Sequence, residues 1–289
     1  MSADASEEIR RQGPARIVVS FSILAAIIVV FLLPYAWIVA SSFKPQFAIF
    51  RDLNPIGWRS FVPTEPTLQN FILLFKSRGL GQALINSLIV STCQVVCTLA
   101  LCSTAAYALT RIRFPGRNIV FVIILMTFLL PVEALVVPLY QVVSGLGLHD
   151  SLIAAFIPWI SSPFGLFMLR QAFEELPREL DDAAKIDGAG HLRIFWSIIL
   201  PNVRTALATL ALVIFLFSWN AFLWPLVILQ SKTKLVVQVA IAQSVSPGEL
   251  PNWGETFAGA TLATVPILIL FVFLQRYFVR GIASSGMKG

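Results

Sequence analysis

The chain has 289 residues, of which 57% are hydrophobic and only 12% charged, and its mean hydropathy is +0.82. A soluble domain carries about 25% charged residues, so the composition weighs against a soluble α/β fold and for an all-α membrane protein. The net charge of +6 does not indicate nucleic acid, because the basic residues are scattered between apolar runs instead of clustering.

Residues 1–16 are polar, end in Arg10, Arg11 and Arg16, and read as a cytoplasmic N-terminal segment. A single transmembrane domain then covers 17–289. A spanning helix needs about 20 residues, and six runs meet that demand: about 17–43, 83–110, 118–142, 152–169, 203–230 and 257–279. The first run is too long for a signal-peptide core and lacks a small-x-small cleavage site, so it is expected to be retained, kinked at Pro34. Residues 44–82 are polar and dotted with Pro45, Pro55, Pro63 and Pro66, and the stretch TLQNFILLF at their end predicts a short amphipathic surface helix. Cys93, Cys97 and Cys102 all fall in the second span with no His or carboxylate beside them, which makes them packing residues and not metal ligands.

Between spans four and five lies a loop, 170–202, that does not belong in hydrocarbon. Arg178, Glu179, Asp181, Asp182, Lys185, Asp187, His191 and Arg193 fall within 16 residues, and each Asp, Lys or Arg at the bilayer centre costs roughly 2.5–3.5 kcal/mol. The positive-inside rule assigns its side. With the N-terminus inside, 14 of the 21 Lys and Arg face the cytoplasm, and the short loop 143–151 opposite has none. The topology is N-in, C-in, and the charged loop is cytoplasmic.

Locally the loop is well punctuated. Pro177 suits a first helical turn. Arg178 with Asp182 and Asp181 with Lys185 stand at i,i+4 spacing. Ala183 and Ala184 offer a small-residue surface for close approach, and Gly188 is a left-handed helix stop. A second amphipathic stretch, His191 to Leu200, runs into Pro201. The expected shape is helix, glycine corner, helix.

Catalytic chemistry finds no foothold. The two histidines, His149 and His191, lie on a loop or loop helix, no paired carboxylates stand at helical spacing inside a span, and no Ser-His-Asp set can be placed on one side of the membrane. The glycines Gly281 and Gly286 have the separation of a phosphate loop, but Met287 displaces the lysine to position 288. No catalytic and no metal site is expected, and ATP, if it drives this protein, is bound by another chain.

The pattern ELDDAAKIDGA, followed by IFW and ILP, closely resembles the EAA signature of the membrane subunits of binding-protein-dependent ABC importers. Asp182 stands where that family usually has Glu, and Thr205 where a proline often follows. From about Thr67 onward further motifs resemble its carbohydrate branch: Asn86-Ser87-Leu88, Ala106-Tyr107-Ala108-Leu109, Phe114-Pro115-Gly116-Arg117, Pro138-Leu139-Tyr140, Trp219-Asn220, Trp224-Pro225 and the stretch from Gln275 through Lys288-Gly289. They are most similar to the second permease subunit of the maltose and glycerol-3-phosphate type.

The resemblance implies a type I ABC importer permease fold in the bacterial plasma (inner) membrane. It also implies a coupling helix that docks on an ATPase, carried by Glu179, Asp182, Ala183, Ala184, Asp187, Gly188 and Ala189. The partners implied are a homologous second permease, two copies of an ATP-binding subunit that holds ATP and Mg, and an extracytoplasmic solute-binding protein. The solutes implied are sugars, oligosaccharides or glycerol-phosphate compounds; a non-sugar solute is the alternative. For the solute path the residues offer four candidates. Glu133 is a carboxylate inside a span, beside Pro131 and Pro138, and is expected to face the bundle interior. Asn86, Trp219 and Asn220 could meet a sugar by hydrogen bonding and stacking, or serve as interhelical glue and interface anchor. The segment 231–257, with Trp253 and Glu255, is expected to receive the binding protein. A secondary transporter would carry more intramembrane ionisable or unwound sites, and a membrane enzyme a His or carboxylate cluster at one face.

Overall fold

The structure, a computed structural model, describes residues 14–243 and 251–285, and among these every regular element is helical. The expectations for residues 1–13, 244–250 and the Lys288-Gly289 ending lie outside the described residues. Two compact units are distinguished. One comprises the chain up to Ser77 together with 244–262, the other comprises 78–243 and the chain from Ala263 on.

The first unit opens with α1 (Pro14–Ser42), a continuous helix through Pro34. Only 6% of its apolar span is buried within the chain, against 33% for α5 (Leu80–Arg111). Side chains such as Phe21, Val30 and Phe31 therefore face outward, as a helix bathed in lipid requires. The proline-dotted segment after it is no slack linker. It folds into α2 (Gln46–Arg51), α3 (Trp58–Phe61) and α4 (Gln69–Ser77) around Lys44, which is only 1% exposed. The Lys44 ammonium meets Asp52 Oδ2 at 3.2 Å and donates to the carbonyls of Arg59 and Ser60, while Ser60 Oγ donates to the Asp52 carbonyl at 2.8 Å. A buried ion pair persists only with its remaining hydrogen-bonding capacity satisfied, and here backbone carbonyls do that. Burial raises the Asp52 pKa, but hydrogen bonds and charge from Arg51 and Lys44 outweigh it and leave the carboxyl below its ordinary value.

The expected helix at 67–75 is present as α4, though Asn70 on it is buried. Asn70 Nδ2 donates to the carbonyls of Ser42 (2.8 Å) and Lys44 (2.9 Å) just past the end of α1, satisfying acceptors a helix terminus leaves open. A Cβ on Gly254 would stand 2.5 Å from Asn70 Oδ1. Gly254→Ala is therefore expected to displace the Asn70 amide and to lower thermal stability by about 1–3 kcal/mol, the cost of an unsatisfied buried polar group. Thermal unfolding of the purified protein checks this, and an unchanged midpoint would contradict it.

The second unit is organised on α5. Against it pack α9 (Pro163–Glu174) and α13 (Arg204–Trp219). At Gly165 an added Cβ would sit 3.2 Å from Cys102 Sγ and from both Leu210 methyls, so the three helices meet at van der Waals limit. Cys102 is buried there, with a packing role, while Cys93 and Cys97 are half-buried.

Three helices are candidate spans by themselves: Val18–Ser42, Leu80–Arg111 and Trp253–Phe273, the last being part of α16 (Trp253–Ser285). The other three are bent pairs, so six spans result if each pair is one. Spans three and four, expected as single runs, are corrected accordingly. Between α6 (Arg117–Met126), extended by a 3₁₀ turn to Leu129, and α7 (Val132–Gly145) the axis turns by 104°. The cause is Pro131, which drives Leu130 into extended conformation (ψ 123°). Between α8 (Leu152–Phe156), with its 3₁₀ extension to Trp159, and α9 the bend is 51°, with Pro163 at the first turn of α9. The fifth run helical from Arg204 stops at Trp219, and the chain unwinds at 220–222 before α14 (Leu223–Ile228) and α15 (Val237–Ala242).

One loop contact ties distant parts of this unit. Asp150 holds a left-handed backbone (φ 51°), and its Oδ1 accepts from the backbone N–H groups of Gln230 (2.9 Å) and Ser231 (3.0 Å). Ser231 Oγ and Lys234 Nζ also reach its carboxylate. The Ser231 and Gln230 hydrogen bonds hold the Asp150 pKa well below the ordinary carboxylate range. With a depressed folded pKa, its contribution to stability is complete above the unfolded value of about 3.9 and is lost as pH falls through the folded one. The stability difference between the protein and Asp150→Asn is expected to be constant from pH 8 to about 5 and to shrink only in stronger acid. Thermal unfolding of both across pH checks it, and a difference already shrinking near pH 6 would contradict it.

Candidate coupling site

The charged loop folds as α10 (Glu179–Ile186), α11 (His191–Ile194), a π-helical turn over Phe195–Ile199 and α12 (Leu200–Asn202), which meets α13 at 78°. Pro177 lies just outside α10, whose N-cap is Arg178, so the expectation that it occupies the first turn is corrected. Glu179, Asp181 and Asp182 crowd the first turn and Lys185 the last, the arrangement that a helix dipole favours. The C-terminus closes as a Schellman motif: Gly188 N–H donates to the Lys185 carbonyl (3.0 Å) and Ala189 N–H to that of Ala184 (2.9 Å). Gly188 has φ 78°, a conformation that costs other residues about 1–2 kcal/mol. The glycine corner expected from the sequence is there.

α10 has two faces with different work. Inward, Asp181 and Ala184 are buried, and Ala184 joins Ile194, Phe195 and Ile199 in the apolar core with Ala106, Tyr107 and Leu109 of α5 and Phe173 of α9. Asp181 Oδ2 lies 2.8 Å from Arg111 Nε, the last residue of α5, and these side chains are only 7% and 6% exposed. Arg111 also donates to the Leu176 carbonyl at 3.1 Å. Tyr107 hydroxyl and His191 Nδ1 share a hydrogen bond of 3.1 Å, and the Tyr107 ring packs edge-on against Phe195. α10 is thus fastened to α5 by an ion pair and shared core, and the turn that follows it by the Tyr107 contacts.

Outward lie Glu179, Asp182, Ala183, Lys185, Asp187 and Gly188, and of the expected small pair only Ala183 is on that side. Ala184 points in, and Ala189 is half-buried. The pairing also differs from the spacing-based expectation: Lys185 meets Asp182 at 3.0 Å, three residues back, while Asp181 takes Arg111. An exposed pair of that kind is worth only a few tenths of a kcal/mol, so the outer charges contribute little to the fold. Among them sit apolar side chains the sequence reading passed over: Ile186 at 88% exposed, Leu192 at 77%, Trp196 and Leu180. The outward position of Ile186 follows from the burial of Asp181 and Ala184 on the opposite side of the helix, which the sequence does not show. Arg111 left no signal either; it read only as one of the cations between spans two and three.

The four solute-path candidates separate. Asn86 is 2% exposed and its amide donates to the carbonyls of Thr233 and Leu235, both at 2.9 Å. Trp219 is 2% exposed, stacks on Phe215 and donates to the Ala263 carbonyl at 3.0 Å. Both are held inside the chain by these bonds, in the position of interhelical glue. Asn220 is exposed where α13 ends, and Gln238 donates to its Oδ1 at 3.4 Å. Glu133 is exposed in the first turn of α7 and does not face the interior of this chain's bundle, because the turn at Pro131 swings it out. Glu255, expected on a receiving surface, is buried at 5%; Asn252 Oδ1 accepts from its backbone N–H at 3.3 Å at the start of α16, and the Asn252 side-chain amide donates to Glu255 Oε1 at 2.7 Å. Trp253 is exposed and rests edge-on to Phe50.

Residues 98–284 match the family described as binding-protein-dependent transport system inner membrane component. The chain is 37% identical over 273 residues to the arabinooligosaccharides transport system permease protein of Halalkalibacterium halodurans, covering 94% of this chain and 95% of that one. It is 36% identical to the sn-glycerol-3-phosphate transport system permease protein of Yersinia pestis (72% and 75% covered) and 31% identical to the lactose transport system permease protein of Rhizobium radiobacter (96% and 98%). In fold it is similar to a chain of a bacterial ABC transporter involved in the import of the acidic polysaccharide alginate, with TM-score 0.81 and 23% identity over 92% of this chain and 99% of that chain. The chain belongs to the family of inner membrane components of binding-protein-dependent transport systems, and it is a multi-pass membrane protein.

Proposed function

We propose that this chain is the permease subunit of an ATP-driven importer for a sugar, an oligosaccharide or a glycerol-phosphate compound, moved by an ATPase in another chain that binds ATP and Mg. The relatives named for arabinooligosaccharides, glycerol 3-phosphate and lactose support the substrate class. The observation that carries the coupling role is α10: a short, rigidly capped helix, bolted inward by Asp181 and Ala184, that presents an apolar and charged outer face. Exposed apolar side chains on a polar loop mark a partner surface. In this reading Glu179, Asp182, Ala183, Asp187 and Gly188 meet the ATPase on the cytoplasmic side, with Ile186 and Leu192 added. Ala184 and Ala189 set the helix against its base.

The working cycle needs a homologous second permease, two ATP-binding subunits and an extracytoplasmic binding protein. ATPase closure pulls α10 as a rigid body, and the bent spans give the bundle elements that can adopt a second arrangement, so that ATP binding biases access to one side. Asn220 and Glu133, both exposed at helix breaks, are the residues of this chain left to line the solute path. The test is purification of the assembly. The ATPase should co-purify, and vanadate-sensitive hydrolysis should rise with ligand-loaded binding protein. Solute uptake by this chain alone in liposomes without ATP would overturn the proposal.

A further inference from the structure

An open groove of about 500 Å³ is lined by Arg113, Phe114, Pro115, Arg117 and Arg178. Arg113 and Arg117 flank the turn from α5 to α6, and Arg178 is the N-cap residue of α10. Among the described residues none of the three arginines forms an ion pair, whereas neighbouring Arg111 and Arg170 are both engaged by carboxylates. α6 starts from Gly116 with φ 79°, with no side-chain cap and no acidic residue in its first turn, so its opening N–H groups add to the positive field. Three cations without a carboxylate partner among the described residues thus line one concave surface at the end of α5, next to the start of α6.

We propose that this groove binds the phosphodiester headgroup of an anionic phospholipid from the cytoplasmic leaflet. Guanidinium groups take phosphate oxygens in bidentate fashion, and anionic headgroups of that leaflet gather basic residues at the membrane surface. Pro115 and the half-buried Phe114 supply an apolar wall beside the acyl chains. A bound headgroup spans the α5–α6 turn and the start of α10, and so ties the coupling helix to its bundle at a second point besides Arg111–Asp181. The side of the membrane rests on the importer reading. The binding itself is measured without transport, so the two fail separately.

The test uses the assembled transporter in detergent, titrated with phosphatidylglycerol or phosphatidylcholine and read by native mass spectrometry. The protein is expected to retain phosphatidylglycerol in preference to phosphatidylcholine. The Arg113→Gln/Arg117→Gln/Arg178→Gln variant should bind it roughly a hundredfold more weakly, at about a factor of five per cation removed. Lys76→Gln/Lys232→Gln, which removes charge elsewhere, should bind as the unaltered protein does. An intact assembly on gel filtration confirms that the triple variant is folded. Equal binding by the triple variant, or equal retention of phosphatidylcholine, overturns the site. Full displacement by millimolar inorganic phosphate assigns it to a soluble anion instead. If maleimide labelling of Arg113→Cys is blocked by the ATPase and not by lipid, the groove receives an acidic protein surface and the proposal fails.

Discussion

Asp181→Ala is expected to lower the stability of this chain by about 3–5 kcal/mol, because it leaves Arg111 buried without its counter-charge. The Arg111 side chain is 6% exposed at the end of α5, and among the described residues it meets Asp181 and the Leu176 carbonyl. At that exposure little solvent is at hand to replace the lost carboxylate. Arg111→Ala should do comparable damage from the other side. The double variant Asp181→Leu/Arg111→Met should be milder than either single change, since an apolar pair of similar volume avoids the desolvation cost of both ions. A double-mutant cycle by thermal unfolding, with Asp181→Leu and Arg111→Met as its single corners, measures this, and a coupling of about 3 kcal/mol, the upper end of the range for residues in contact, is expected. Additive single effects would show that the pair is not coupled and that α10 is held by packing alone.

Ile186→Asp is expected to have the opposite profile, with the fold spared and the partner lost. At 88% exposed, Ile186 makes almost no contribution to this chain, and a surface change of that kind stays within about 0.5 kcal/mol. On the ATPase side it replaces an apolar anchor with a charge that has to be desolvated on docking. Loss of a hot-spot residue costs about 2 kcal/mol or more, roughly a thirtyfold weaker association. Membrane insertion and thermal midpoint should therefore match the unaltered protein while ATPase recovery in a pull-down collapses. Undiminished recovery would move the docking surface away from this face of α10.

These two residues also show how far the sequence could be read. The apolar runs located the spans because hydropathy over some 20 residues is a local property. Where a run breaks is not: both Pro131 and Pro138 were visible, yet the axis turns at Pro131 while α7 continues through Pro138. The α10 helix, its charge gradient and the Gly188 stop were likewise local and legible. Which of two adjacent carboxylates turns inward was not, because the answer is set by Arg111, far upstream at the end of another helix. The same limit applied to polar residues in apolar runs. Asn86 and Trp219 are absorbed by the carbonyls of Thr233, Leu235 and Ala263, whereas Asn220, next in sequence to Trp219, is left exposed by the end of α13. Spacing cannot tell these cases apart; only the tertiary partner can. The buried Lys44–Asp52 pair was hidden for the same reason inside a segment that composition marked only as polar and proline-dotted.

Transmission of ATPase motion to the membrane helices through α10 is tested most directly by measuring hydrolysis and solute uptake together in proteoliposomes. Asp187→Lys/Gly188→Pro destroys the outer charge and the left-handed corner while sparing Asp181, Ala184 and the spans. The variant is expected to insert, assemble weakly and take up no solute. Uptake equal to that of the unaltered transporter would contradict it.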